Sequence, residues 1–422
     1  MPNRILVVAA LFAGLFGISR LSARGAGSVR VGAVEGQPDP ESLGPDAAHV
    51  DRFLAALERS DPLICDDLAA SFGNFWSGSG SDAAIGELAD WDPSTRAQRD
   101  QLRRPVTDRA AIAVLIKAFD SANPCVRRIA AKMAGRSGPV GQAELLAAAG
   151  DQRPRVREAA ALALGEAEDP ATRDRLERLT ADADAAVAAM AIAGLGSMED
   201  HRSVPVLLDR LSHRSLRVRQ TAIWALGEIK DPQTVGRLIP ALRDSDPVTR
   251  ALAASALGEI ASRKATEALL SLVHDPEIMV RLAAVHALGE LQDVAAAPAL
   301  AGALIDPSIG VRRAAAQSFG QLDGLSAAPP ELIKALGDSD RELRRAAVQS
   351  VSSIHDSHSA EALAAYLDDP DVEVRRHVVE GLAEMDHPSV SRWMLKALRD
   401  ADAEIRRRAA EALGEHKEDA DK

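Results

Sequence analysis

Residues 275–291 read DPEIMVRLAAVHALGEL, and this stretch decides the fold because it recurs. With Val280 as position 0, Asp275 stands at −5, Arg281 at +1, Ala284 at +4, Leu288 at +8, Gly289 at +9 and Glu290 at +10. The residues at position 0 are Val126, Val156, Val187, Val218, Thr249, Val280, Val311, Leu343, Val374 and Ile405, spaced by 30, 31, 31, 31, 31, 31, 32, 31 and 31 residues. A period held that closely through ten copies marks a stack of repeated units and outranks any local motif.

Positions 0, +4, +5 and +8 are apolar and fall on one face of a helix with a 3.6-residue period. Position +7 is small (Ala225, Ala256, Ala287, Ser318 and equivalents), which lets a neighbouring helix approach. The glycine at +9 lies near the helix end, where it is expected to adopt the left-handed cap conformation. A second apolar set at −11, −10 and −7, as in Leu207, Leu208, Leu211 and in Leu238, Ile239, Leu242, predicts a preceding helix. Pro205, Pro298 and Pro330 recur at −13, where proline either starts or bends it. Each unit is therefore a helix pair, A then B, which buries its apolar face only by stacking on its neighbours. The expected fold is an elongated, strand-free, all-α solenoid (superhelix) of about ten 31-residue pairs plus a degenerate N-terminal repeat.

The pattern resembles HEAT repeats, in particular the short HEAT-like repeats of the phycobilisome lyase type, over residues 108–415. The residues that carry the resemblance are the Asp at −5, the residue at 0 and the Arg at +1: Asp244/Arg250, Asp275/Arg281, Asp306/Arg312, Asp338/Arg344, Asp369/Arg375 and Asp400/Arg406. The resemblance implies that these form a hydrogen-bonded ladder joining successive loops. Ala188 replaces the Arg in the third copy and Ser212 lies near the Asp position of the fourth, so the ladder is expected to weaken there. Fold is what such a resemblance specifies; solenoids of this type serve many roles.

In chain order, residues 1–23 read as a signal peptide, with Arg4 as a short positive region and residues 5–18 as an uncharged, mostly apolar run too short for an ordinary membrane span. Cleavage after Ala23 is expected, with an uncleaved signal anchor as the alternative, so the body of the protein is periplasmic or secreted. Residues 24–45 read as a flexible linker. Residues 46–107 read as a degenerate capping repeat: Val50, Phe53, Leu54 and Leu57 form an inward helix face, and Ile64, Leu68 and Gly73 match positions 0, +4 and +9 two periods before Val126. Within it, residues 74–104 are either an insertion or a collapsed repeat. The regular array spans 108–416, followed by a charged tail, 417–422.

Chemistry is sparse. None of the ten histidines is followed by Glu, so there is no HExxH metal motif. His355 and His358 sit three apart in a loop. No phosphate-binding glycine loop or GxSxG elbow is present, and the glutamates at +10 lie one repeat apart, about 10 Å, too far for a catalytic carboxylate pair. No catalytic residue, metal or cofactor is assigned. The net charge of −12 provides no basic excess to meet phosphates, which excludes general nucleic-acid binding. Cys65 and Cys125, the only cysteines, are either bridged or two free buried thiols; a bridge requires Cα atoms within about 7 Å.

The leading functional expectation is a non-enzymatic scaffold that holds a protein or peptide along a concave face built from B helices. The alternative is a bilin-lyase-like or other enzyme-associated subunit, supported only by the repeat type. Helical geometry directs +2, +3 and +6 away from the apolar face. The expected groove residues are Met190, Trp224, Leu252, Leu282, His286, Arg313, Gln317, Arg345, Gln349 and Arg376. Trp224 is the expected exposed anchor, and Arg313, Arg345 and Arg376 a basic stripe for acidic partner groups.

Overall fold

A computed structural model describes residues 44–59, 102, 104–354 and 356–420. Among these, every regular element is helical. The chain divides into two compact units, Met1–Asp231 and Pro232–Lys422. Unit 1 contains α1 (Ala47–Arg59) and four A/B pairs: α2/α3 (Arg109–Ala118, Pro124–Gly135), α4/α5 (Gln142–Ala148, Pro154–Glu166), α6/α7 (Arg173–Leu179, Ala185–Ser197) and α8/α9 (Val204–Arg210, Leu216–Ile229). Unit 2 contains six: α10/α11 (Val235–Leu238, Pro247–Ile260), α12/α13 (Thr266–Leu270, Ile278–Glu290), α14/α15 (Ala297–Ala303, Ile309–Phe319), α16/α17 (Pro330–Ala335, Arg341–Ile354), α18/α19 (Ala360–Ala364, Val372–Ala383) and α20/α21 (Val390–Ala397, Ala403–Ala420). Each unit is thus a solenoid of stacked helix pairs.

The apolar pattern explains the pairing. Position −11 of the A helix is leucine in nine copies and Met394 in the tenth, and all ten are buried. They meet the position 0, +4 and +8 residues of the B helices; in α7 these are Val187, Ala191 and Leu195, all fully buried. Burying one such side chain is worth about 1.5–3 kcal/mol. The prolines at −13 start the A helices: Pro205, Pro298 and Pro330 occupy the first two positions of α8, α14 and α16. Several B helices start on side-chain caps, with Asn123, Asp184, Asp246 and Asp371 accepting backbone N–H bonds at α3, α7, α11 and α19. At the N-terminus α1 packs on α2 and α3 through its buried Phe53 and Leu57. The 60–101 stretch, with the register residues Ile64, Leu68 and Gly73, lies outside the described residues, as do the leader and most of the linker.

The glycine at +9 has a different role from the expected cap. The left-handed residue of the B-to-A turn is at +12, and it is Glu168, Glu199, Lys230, Ala261 or Gln292, with Gly138 in the first copy. An Asp at +13 then caps the following turn, as Asp169 does for Ala171 N–H and Asp293 for Ala295 N–H. The +9 glycine instead meets the small +7 residue of the next B helix. A Cβ on Gly258 would sit 2.8 Å from the Cα of Ala287, and one on Gly196 would sit 2.8 Å from the Cβ of Ala225 and 3.1 Å from the Trp224 ring. Later copies add a hydrogen bond to this crossing: Ser318 Oγ donates to Val285 O at 3.0 Å and Ser350 Oγ to Ala316 O at 2.6 Å.

Two substitutions separate these roles. Gly258→Val forces α11 from α13 and is expected to cost about 1–3 kcal/mol, the usual range for overpacking. Ala261→Gly relieves a left-handed Cβ clash of about 1–2 kcal/mol against a smaller entropic loss, so it is expected to be neutral or stabilising by about 0.5–1 kcal/mol. Urea unfolding midpoints of both variants check this, and equal destabilisation by the two would contradict it.

Candidate protein-binding surface

The loop between A and B helices is built around the side chain at −5. In every copy it accepts a bond from the backbone N–H at −3: for example Asp244 from Asp246 at 2.8 Å, Asp306 from Ser308 at 2.7 Å and Asp400 from Asp402 at 2.7 Å. This is a side chain closing its own turn. Ser121 does the same in the first copy and His213 Nδ1 in the fourth, at 3.1 Å.

The arginine at +1 locks that loop to the next. Its Nη1 donates to carbonyls of its own loop, as Arg281 does to Asp275 O at 2.9 Å and Pro276 O at 3.1 Å. Its Nε and Nη2 grip the −5 carboxylate of the following copy: Arg157 on Asp182, Arg250 on Asp275, Arg281 on Asp306, Arg344 on Asp369 and Arg375 on Asp400, each through two bonds of 2.7–3.2 Å. The Asp and Arg of one copy thus meet through the Asp backbone carbonyl, and the carboxylate belongs to the preceding copy's arginine. Arg406 likewise holds Asp400 O at 2.7 Å.

The step between copies seven and eight, where the spacing is 32, departs from this register. Arg312 holds the carbonyls of Asp306 and Pro307, and the inter-copy bond is made by Arg313, whose Nε donates to Asp340 Oδ1 at 2.7 Å. Asp338 closes its own turn onto Asp340 N–H.

Electrostatics follow the bonds. The Arg157 bond holds Asp182 below the ordinary carboxylate range, and Arg375 does the same for Asp400. For Asp275 and Asp306 burial pushes upward most strongly, and the arginine bonds together with the N–H groups of Glu277 and Ser308 outweigh it, leaving both lowered. The Arg313 bond brings Asp340 down to about 2. In the first pair of unit 1, burial pushes the Arg136 guanidinium down to about 10 against the pull of Glu166, and Lys132 pairs with Glu166 at 3.4 Å.

The expected groove is corrected in three respects. Trp224 is buried, 8% exposed, and lies over Gly196 of α7; it fills the joint between two B helices and is not an exposed anchor. Met190 and Leu252, both at +3, are buried as well, because consecutive B helices pack on one another and cover that side. The arginines at +2 are not a free basic stripe. Arg313 is bound by Asp340; Arg345 by both oxygens of Asp371, with Glu342 at 3.4 Å; Arg376 by both oxygens of Glu373, with Asp402 at 3.8 Å. The −3 partners Asp340, Asp371 and Asp402 stand at the starts of the next B helices, so +2 and −3 form a second ladder. Leu282 and His286 are half-buried, and only Gln317 and Gln349 of the expected set are exposed. His358 packs on Asp356 within a turn, Nδ1 at 3.0 Å from Oδ1; His355 lies outside the described residues. No group of three or more His, Cys, Asp or Glu side chains capable of holding a metal occurs among the described residues. Cys125 is buried and disulfide-bonded; Cys65 lies outside the described residues.

A family model for HEAT repeats matches residues 112–188, 172–239, 235–320, 302–374 and 360–422, well over half of the sequence, and the chain belongs to that family. No curated protein matches it. Among solved structures it is similar to an engineered protein (19% identity, 87% of this chain and 99% of that one, TM-score 0.47). It is also similar to the CpcE–CpcF complex of phycocyanin lyase from Nostoc sp. PCC7120 (22%, 58% and 94%, TM-score 0.36). A third likeness is to a complex of Kap95p with RanGDP (13%, 87% and 55%, TM-score 0.46). These likenesses concern the fold.

The ladder makes a pH prediction. A carboxyl lowered in the folded chain contributes its stability in full above its ordinary value of 3.8 and loses it as pH falls through the folded value. Acid unfolding is therefore expected below about pH 4. Arg281→Gln should cost about 1.5–3 kcal/mol at pH 7, the range for bonds to charged groups, and this difference should shrink as the pH falls towards 2. Denaturant titrations across pH check both; a constant difference down to pH 2 would show that the rung contributes through packing and not through charge.

Proposed function

We propose that the protein is an exported, non-enzymatic interaction scaffold that holds a protein or peptide along the B-helix face of unit 2. Family and geometry together are consistent with a non-catalytic scaffold. One observation carries the finer reading: Gln317 and Gln349, both at +6, stay exposed on neighbouring helices α15 and α17, beside +2 arginines already fixed by carboxylates. Such amides offer donors and acceptors at a regular spacing on an ordered support, which lowers the ordering cost of binding. Because each arginine is already paired, partner recognition rests on these amides and not on acidic partner groups.

The export part is supported by the sequence of residues 1–23. Among the described residues no helix is long and apolar enough to cross a membrane. An oxidising compartment suits a disulfide, and Cys125 is proposed to pair with Cys65.

A photo-crosslinking amino acid at 317 or 349 should capture one defined partner species, and the same group at the exposed Glu361 should not. Gln317→Arg/Gln349→Arg should weaken that capture about tenfold or more, about 1.4 kcal/mol, with helical content unchanged. Equal capture at all three positions would refute the surface. Peptide mapping of protein from intact cells is expected to show a mature start near Arg24 and a linked Cys65–Cys125 pair; an intact Met1, or unlinked cysteine peptides, would overturn the corresponding claim.

A further inference from the structure

The joint between the third and fourth copies, within unit 1, differs from the others in both of its polar partners. Where five other steps carry an arginine at +1 gripping an aspartate at −5, this step has Ala188 and His213. The two replacements complement each other, since a neutral imidazole has no need of a facing guanidinium. His213 still closes its own turn, with Nδ1 accepting from Ser215 N–H at 3.1 Å. In the other nine copies the acceptor at −5 is an oxygen, from aspartate in eight and from Ser121 in the first.

We propose that His213 makes this joint acid-sensitive: protonation of Nδ1 removes the turn's side-chain acceptor and loosens the contact between α7 and α9. Imidazole is the side chain whose charge ordinarily changes between pH 5 and 8. A protonated Nδ1 presents a hydrogen to the Ser215 N–H, so donor faces donor and the bond is lost. The surrounding charges do not compensate. On its own loop and helices stand Arg210, Arg214, Arg217 and Arg219 against Asp209 and Glu228, a net positive set, and Arg219 Nη1 donates to the His213 carbonyl at 2.9 Å. From the third copy, Ala188 brings no charge. The two nearby loop carboxylates are already engaged, Asp182 by Arg157 and Asp184 by the N–H groups of Ala186 and Val187. The turn leads directly into α9, which packs along α7. The turn is whole while His213 is neutral and loses its side-chain bond when Nδ1 carries a proton.

Hydrogen exchange on the full chain, read by mass spectrometry at pH 7.5 and 5.5 and corrected for intrinsic rates, tests this. In the natural protein, protection of amides around 213–221 is expected to fall about fivefold at pH 5.5, the effect of losing one ordinary hydrogen bond. Amides around 275–283, where Asp275 closes the turn, should not change. His213→Asp and His213→Asn both keep an acceptor that does not protonate in this range and should abolish the pH response. Unchanged protection in the natural protein would overturn the proposal, as would an equal response in His213→Asn, which keeps the turn neutral even if the aspartate variant is perturbed.

Discussion

One guanidinium with two working edges sets the register between repeats, at one step of unit 1 and four of unit 2. The arginine at +1 spends Nη1 on the carbonyls of its own loop and Nε and Nη2 on the next loop's carboxylate. Loop shape and repeat-to-repeat register are therefore fixed by the same side chain. Bidentate Arg–carboxylate pairs are directional as well as strong, so each rung fixes an angle between neighbours as well as a distance. The Asp is equally committed, because the oxygen that closes its own turn also accepts from the arginine, as Asp275 Oδ1 does from Glu277 N–H and Arg250 Nη2.

Apolar packing supplies most of the free energy and the rungs supply the register. At the far end of most B helices the requirement is geometric: a glycine at +9 and a small residue at +7 of the next helix let the helices cross at backbone contact, as at Gly165, Gly196 and Gly258. Where the small residue is serine, its hydroxyl finds a carbonyl on the preceding helix, so the close crossing leaves no orphaned donor.

The array is not uniform, and its departures indicate where function is to be sought. The extra residue between copies seven and eight shifts the rung from Arg312 to Arg313 and begins the second ladder. From there on, the B-helix face of unit 2 carries ordered arginines and exposed glutamines. In unit 1 the neutral Ala188–His213 step replaces an arginine–carboxylate rung with an imidazole turn. Both devices depend on neighbouring copies being alike enough for a single replacement to alter one joint and spare the rest.

The repeat period, the helix pairs and the leucine at −11 were legible in the sequence, as were the residue types of the ladder, though not which copy's carboxylate each arginine takes. Each follows from spacing along a chain whose helical period is known. The fate of the residues at +2, +3 and +6 was not legible in the same way. Spacing on one helix tells which residues face away from its A-helix partner, but a B helix in a stack also has other B helices beside it. Their distance, set by the contact at +7 and +9, decides what remains open. Thus Trp224 and Met190 are buried, the arginines at +2 reach the next helix's capping aspartates, and Gln317 and Gln349 remain exposed. The left-handed residue at +12 was hidden for a related reason: glycine is the usual occupant of that conformation, and here the glycine was needed at +9 for close approach, leaving Lys230, Ala261 and their equivalents to make the turn.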